Sequence, residues 1–215
     1  MLPLGLDIAR LSVVLVGRGE PVLKRLALLD AAGTGALTVF SDAPPPGLAA
    51  AAGERLHRRL ADEGDLAGTR LVLIAGLDLA TSIALAEAAR RAGALVNVED
   101  RTALCDVQMP AVVRRGALTV AISTGGRSPG LAQLLKSVAE RLLDARWGRW
   151  LEELAAQRAR WRAAGLAMAE VRRRSGAYVR AQGWLGRVES GRVERKLAPP
   201  AAQLPGSVPF GSPKQ

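Results

Sequence analysis

The stretch Ser12–Gly33, SVVLVGRGEPVLKRLALLDAAG, sets the fold. An apolar, β-branched run, Ser12–Val16, meets Gly17-Arg18-Gly19. Glu20–Ala32 then reads as a helix, with Leu23, Leu26, Ala27 and Leu29 near one face and Gly33 as its stop. Strand, glycine turn, helix is the context a dinucleotide fingerprint requires. The first glycine permits the tight turn, and the second lets the backbone approach a pyrophosphate at the helix N-terminus. Glu20 and Pro21 open the helix, and the third small position is held by the bulkier Val22. The next strand, Leu37–Phe40, runs into Ser41 and Asp42. A carboxylate there accepts hydrogen bonds from an adenosine ribose and repels a 2′-phosphate, which favours NAD over NADP. The same grammar also describes a βαβ turn that holds no cofactor.

Farther along, Pro44-Pro45-Pro46 breaks the chain, and residues 54–70 fit a helix or a short strand equally well. Leu71–Ala75 reads as a strand, Asp78–Arg91 as a helix closed by Gly93, and Leu95–Val98 as a strand ending at Glu99 and Asp100. Two β-α-β runs with short links imply a Rossmann-like α/β fold, a parallel sheet with helices on both faces. Beyond Asp100 the style changes. Val107–Val113 and Ala117–Ile122 suggest a hairpin around Arg114-Arg115-Gly116.

The segment Leu118–Pro129, LTVAISTGGRSP, repeats the strand–glycine–helix pattern, with Ser128 as N-cap and Pro129 at the first helical position. Backbone N–H groups, the two hydroxyls of Ser123 and Thr124, and the Arg127 guanidinium are expected to point at one spot suited to carboxylate or phosphate. A capped helix behind a tight turn is the plain alternative. Two helices, Trp147–Gly165 and Leu166–Gln182, follow, with Trp147, Trp150 and Trp161 as packing anchors. The expected organisation is a nucleotide domain (1–105), a hairpin and helix (106–145), a helical carboxyl-terminal segment (146–190) and a disordered tail (191–215).

Composition narrows the function. The chain is 49% hydrophobic, enough for a core, but only 3% aromatic, which argues against single-strand nucleic-acid stacking as its main task. One cysteine and one histidine, Cys105 and His57, can build neither a disulfide framework nor a Cys/His metal site. A signal peptide and a membrane span are not expected, so the reading is a soluble cytoplasmic protein. The net charge is +10, and most of that excess falls in residues 151–215. A basic face of this kind attracts a polyanion, or simply solvates helices.

Asp100, at the carboxyl end of a strand, stands where open α/β sheets bind ligands and can act as a general base. A turn-forming aspartate explains the position equally well. Tyr178 has Gln four residues on, so the Tyr-x-x-x-Lys pair of short-chain dehydrogenases is absent. Cys105 reads as a packed thiol.

Taken together, VVLVGRGEPVLKRLALLDAAG and ALVNVEDRTALCDVQMPAVVRRGALTVAISTGGRSPGLAQLL resemble the precorrin-2 dehydrogenase family, the amino-terminal module of siroheme synthase, over roughly residues 3–165. In some members this module is also a sirohydrochlorin ferrochelatase. The resemblance implies NAD as cofactor, bound at Gly17 and Gly19. It implies Asp100 as the catalytic aspartate and Asn97 as the asparagine just before it. Asp78 matches one aspartate of an Ala-Thr-Asp-Asp run that here reads Ala75-Gly76-Leu77-Asp78. The tetrapyrrole cleft is implied at Ser123, Thr124, Gly125, Gly126 and Ser128, with Arg127, Arg114 and Arg115 adding positive charge for the carboxylates of precorrin-2. A homodimer, with the hairpin and helix serving dimerisation, and a separate upstream methyltransferase are also implied, in siroheme or cobalamin biosynthesis. No protein metal ligands are expected, and Fe²⁺ would enter as a substrate. Two rivals stay open: a non-catalytic NAD(H)-binding regulator with nucleic-acid-binding helices, although nucleic acid is not the expected partner, and a chelatase with a vestigial nucleotide pocket.

Overall fold

A computed structural model describes residues 2–184 and residue 186; the expected tail, 191–215, lies outside them. Five parallel strands form one sheet: β1 (Ser12–Gly17), β2 (Ala36–Phe40), β3 (Leu56–His57), β4 (Leu71–Ala75) and β5 (Leu95–Val98), in the order β3-β2-β1-β4-β5. Helix α1 (Gly19–Ala31) joins β1 to β2, and α4 (Leu79–Arg91) joins β4 to β5. Strands buried on both faces need apolar residues at every position, and β1 and β4 supply them. Val14, Val16, Val72 and Ile74 pack with Leu85, Ala86 and Ala89 of α4 on one face. Val13, Leu15, Leu71 and Leu73 pack with Val22, Leu26 and Leu29 of α1 on the other. Each fully buried Leu, Ile or Val contributes about 1.5–3 kcal/mol, most of it offset by chain entropy. The Rossmann-like α/β architecture read from the sequence is the one observed.

Residues 54–70 resolve into two short pieces. β3 pairs in parallel with β2, Val39 with Leu56 and Phe40 with His57. Helix α2 (Leu48–Ala52) precedes this strand, and α3 (Glu63–Leu66) follows it. Arg59 organises this segment. Its guanidinium lies 5.1 Å from the centre of the Phe40 ring and forks onto the Asp65 carboxylate at 2.5 and 2.7 Å. Asp65 and Asp62 complete a reciprocal capping box, the Asp62 N–H donating to Asp65 and the Asp65 N–H to Asp62. Ion pairs and caps hold the segment together with the buried Ala61 and Leu66, too few apolar residues to show a period.

The Arg59 hydrogen bonds hold the Asp65 carboxyl down at about 2. A depressed carboxylate stabilises the fold above its unfolded pKa of about 4, and that contribution disappears as pH falls toward 2. Melting temperature is therefore expected to decline through this acid window, and Arg59→Ala should flatten the decline. An unchanged pH profile in the variant would remove the pair from acid stability.

Strands β6 (Ala111–Arg115) and β7 (Leu118–Ile122) form a separate two-stranded sheet turned by Gly116-Ala117, with Gly116 at φ +59°. The first strand begins at Ala111, not at the expected Val107. Residues 105–107 instead strap along β5, the N–H groups of Asp106 and Val107 donating to Val96 O and the Asp106 carboxylate accepting from Val96 N and Arg90. Helices α5 (Pro129–Leu142), α6 (Arg146–Ala163) and α7 (Met168–Ala181) follow among the described residues. Among the described residues no helix is long and apolar enough to cross a membrane.

The chain divides into two compact units, one ending at Ala111 but including Ala121–Leu134, the other comprising Val112–Val120 and the chain from Leu135 onward. The division runs through the hairpin and through α5. Within the second unit α6 packs on α7, and Trp150 stacks on Trp184 at 5.2 Å while meeting Trp147 edge-on at 5.3 Å.

Candidate functional site

Two features of the first unit carry chemistry. The first is the turn after β1. The strand order reverses between β1 and β4, which makes their carboxyl ends the topological switch point where ligands sit in open sheets. Gly17 is pressed against β4 here. A Cβ on it would lie 2.2 Å from Ala75 O and 3.2 Å from the Val22 Cβ. The Arg18 N–H donates to that same Ala75 carbonyl at 3.1 Å, and Gly19 turns into the helix at φ +65°. No side chain caps α1, so its first N–H groups are left for an anion. These features fit a dinucleotide pyrophosphate.

The turn residues separate by environment. Val22 and Ser41 are completely buried. Val22 is therefore a core residue under the turn, where its bulk packs against Gly17. Ser41 Oγ is buried with no hydrogen-bond partner among the described residues. Glu20 is exposed and paired with Lys24, and Pro21 follows within the first turn. Asp78 is the N-cap of α4, accepting from Thr81 N at 2.9 Å and Thr81 Oγ1 at 2.8 Å, and these bonds lower its pKa. Asp42 is held by Arg18 in a two-pronged pair, Nε to Oδ1 at 2.7 Å and Nη2 to Oδ2 at 2.6 Å. That hydrogen bonding keeps Asp42 below the usual carboxylate range.

The second feature is a cleft of about 300 Å³ at the carboxyl end of β5, walled by Asn97, Asp100, Thr102, Ser123, Thr124 and Gly126 among others. Asp100 has φ +56°, the one non-glycine positive value among the described residues. Left-handed backbone at a non-glycine residue costs about 1–2 kcal/mol and tends to persist where function requires it. Asn97 is 5% exposed; its Nδ2 donates to Val107 O at 2.9 Å, while its Oδ1 has no partner among the described residues. A buried acceptor is thus left without a partner behind the cleft wall. Cys105 also lines the wall, with its sulfur 3.2 Å from both Val98 N and Val98 O.

The loop before α5 is preorganised by its own hydroxyls. Ser128 caps the helix through Leu131 N at 3.2 Å, Thr124 Oγ1 bridges Ser128 N and Ser128 O, and Ser123 Oγ accepts from Gly125 N. Gly126 lies close against Thr102 and Gln108. Of the loop residues named from the sequence, Ser123, Thr124 and Gly126 line the cleft; Gly125, Arg127 and Ser128 are not among its lining residues. The capped-helix reading and the ligand reading therefore both describe this segment.

Arg114 and Arg115 belong to β6 rather than to its turn. The Arg115 guanidinium donates to Leu143 O at 2.5 Å and Glu140 O at 3.1 Å, satisfying carbonyls at the end of α5. Arg114 reaches Thr119 Oγ1 at 3.4 Å. The cleft's cations are others, Arg25 and Arg101, both half-buried and neither paired with a carboxylate among the described residues. The sequence did carry a signal for Arg25. It sits three residues after Val22 and four before Leu29, a cation on the buried stripe of α1.

Among the described residues no group of three or more His, Cys, Asp or Glu side chains gathers to hold a metal ion.

The comparisons with known proteins bear on both features. A family model described as "Putative NAD(P)-binding" matches residues 4–111, and one described as "Sirohaem biosynthesis protein central" matches residues 115–137. Siroheme synthase of Methylococcus capsulatus is 38% identical over 150 residues, covering 68% of this chain and 31% of that protein. Siroheme synthase of Pseudomonas putida strain W619 is 40% identical over 154 residues, covering 70% and 32%. The chain thus spans about a third of the length of these relatives. Among solved structures, "SirC, precorrin-2 dehydrogenase" aligns with a TM-score of 0.66 at 23% identity, covering 88% of this chain and all of that one. The likeness is one of fold.

Proposed function

Because the chain belongs to the NAD(P)-binding family whose model spans residues 4–111, we propose that it oxidises precorrin-2 to sirohydrochlorin with NAD⁺. The observation that carries this reading is Asp100 in its left-handed conformation on the wall of a cleft that also holds two guanidiniums without carboxylate partners among the described residues. The siroheme synthase relatives and the match at residues 115–137 supply the pathway.

Precorrin-2 is a macrocycle edged with carboxylates. Arg25 and Arg101 would pair with such groups, and each desolvated charge-assisted bond contributes about 1.5–3 kcal/mol. Asp100 would take the proton released as a hydride leaves the ring system, so that both hydrogens lost by the substrate are accounted for. Bound NAD⁺ supplies the hydride acceptor, held by the unpaired α1 amides and the Gly17–Gly19 backbone.

Anaerobic incubation with precorrin-2 and NAD⁺ should yield one NADH per sirohydrochlorin. Dinucleotide binding without turnover would instead favour the regulator. Iron insertion is a second proposed activity of the same cleft, with Asp100 accepting the pyrrole protons and Fe²⁺ as substrate; Fe²⁺ added to the sirohydrochlorin product tests it.

We also propose a homodimer in the cytoplasm. Helix α5 exposes Leu131, Leu134 and Leu135, at 48, 68 and 43%, along one side. A second copy would cover them. Light scattering should give twice the chain mass, reduced to one by Leu134→Asp; a wild-type monomer would refute the dimer.

A further inference from the structure

We propose that Arg18 and Asp42 together make the adenosine pocket accept a 2′-phosphorylated dinucleotide, so that NADP binds alongside NAD. This rests on the nucleotide reading above and goes beyond it in substrate range. On sequence alone, an aspartate just past β2 rejects NADP, because its charge faces the ribose 2′-position. That rejection requires the carboxylate to stand unneutralised.

Here it does not stand so. Arg18 is the middle residue of the glycine turn, with its backbone pinned to Ala75 O, and its guanidinium is laid across the end of β2. Both Asp42 oxygens accept from it, and the two side chains are comparably exposed, 35% for Arg18 and 36% for Asp42. The third guanidinium nitrogen lies 3.9 Å from Asp78, whose carboxylate is committed to Thr81 at the cap of α4.

A carboxylate offers about four lone-pair sites, and a bidentate guanidinium uses two. The backbone N–H groups of Asp42 and Ala43 also bear on this carboxylate, so Asp42 keeps room for one ribose hydroxyl of NAD with the pair intact. When the 2′-position carries a phosphate, the fork stays on Asp42 and the third nitrogen, Nη1, only 3.9 Å from Asp78 and outside the fork, is the donor left to meet it. One cation thus serves two ribose chemistries, and Asp42 alone would serve only the unphosphorylated one.

Calorimetric titration of the full chain with NAD⁺ and with NADP⁺ tests this, using the wild type, Arg18→Ala and Asp42→Asn. Both side chains lie at the surface, and melting curves would verify that each variant is folded. The expected wild-type affinities lie within about tenfold of one another. Arg18→Ala should weaken NADP⁺ by on the order of 10- to 100-fold more than NAD⁺, the effect of losing a charge-assisted pair and unmasking a like charge. Asp42→Asn should weaken NAD⁺ while leaving NADP⁺ bound at least as tightly. A wild type that binds NAD⁺ but discriminates against NADP⁺ by more than about 100-fold, or a preference that Arg18→Ala leaves unchanged, would overturn this proposal alone. Binding of neither dinucleotide would overturn the nucleotide reading and this proposal with it.

Discussion

Replacing Asp100 is expected to cost about 10²–10⁴-fold in turnover of precorrin-2, the usual contribution of a positioned general base. The informative pair is Asp100→Asn and Asp100→Gly. Asparagine keeps the shape and tolerates left-handed backbone, so it isolates the loss of the basic oxygen. Glycine removes the steric penalty at φ +56° as well. Both variants should melt no lower than about the wild-type temperature and bind dinucleotide with unchanged affinity, because the fork at Arg18 and the turn at Gly17 are built from other elements. Loss of turnover with stability intact distinguishes a chemical role from a turn-forming one. Full activity in Asp100→Asn would remove this residue from the reaction and with it the main support for the proposed chemistry.

The second large effect is expected at Gly17. A methyl group there would overlap Ala75 O at 2.2 Å, well inside ordinary contact distance, and would press on Val22 from the other side. Neither neighbour can yield cheaply. Ala75 ends a central strand, and Val22 is wholly buried. Gly17→Ala should therefore part the carboxyl ends of β1 and β4, costing about 3 kcal/mol and lowering the melting temperature by roughly 10 °C. Dinucleotide binding should disappear in the same variant, since the displaced backbone is the part that would approach the pyrophosphate. A variant that melts normally and still binds would show that the strand ends have slack the packing does not suggest.

How much of this was legible in the sequence follows from what each element depends on. The strands β1, β2, β4 and β5 and the helices α1 and α4 were readable because buried strands in a parallel sheet are continuous apolar runs, and glycines mark their turns. The N-cap at Ser128 was readable from local chemistry alone. What escaped were arrangements made by side chains distant in sequence. Arg18 and Asp42 are 24 positions apart, and nothing local says that one neutralises the other. Val107 looked like the start of a strand, yet with Cys105 and Asp106 it is fastened to β5 by the Asp106 carboxylate and the Asn97 amide. Arg115 looked like free positive charge, and its hydrogen bonds to the carbonyls at the end of α5 appear only in three dimensions. Arg25 carried a periodicity signal, but its role depends on the cleft formed by segments 70 to 100 residues later.

The single sulfhydryl of the chain, Cys105, sits in the cleft wall with its sulfur against Val98. Any maleimide or iodoacetamide reagent can therefore modify this protein at one place only. Its labelling rate becomes a native gauge of occupancy, slowed when a tetrapyrrole fills the space and restored when it leaves, with no engineered reporter required.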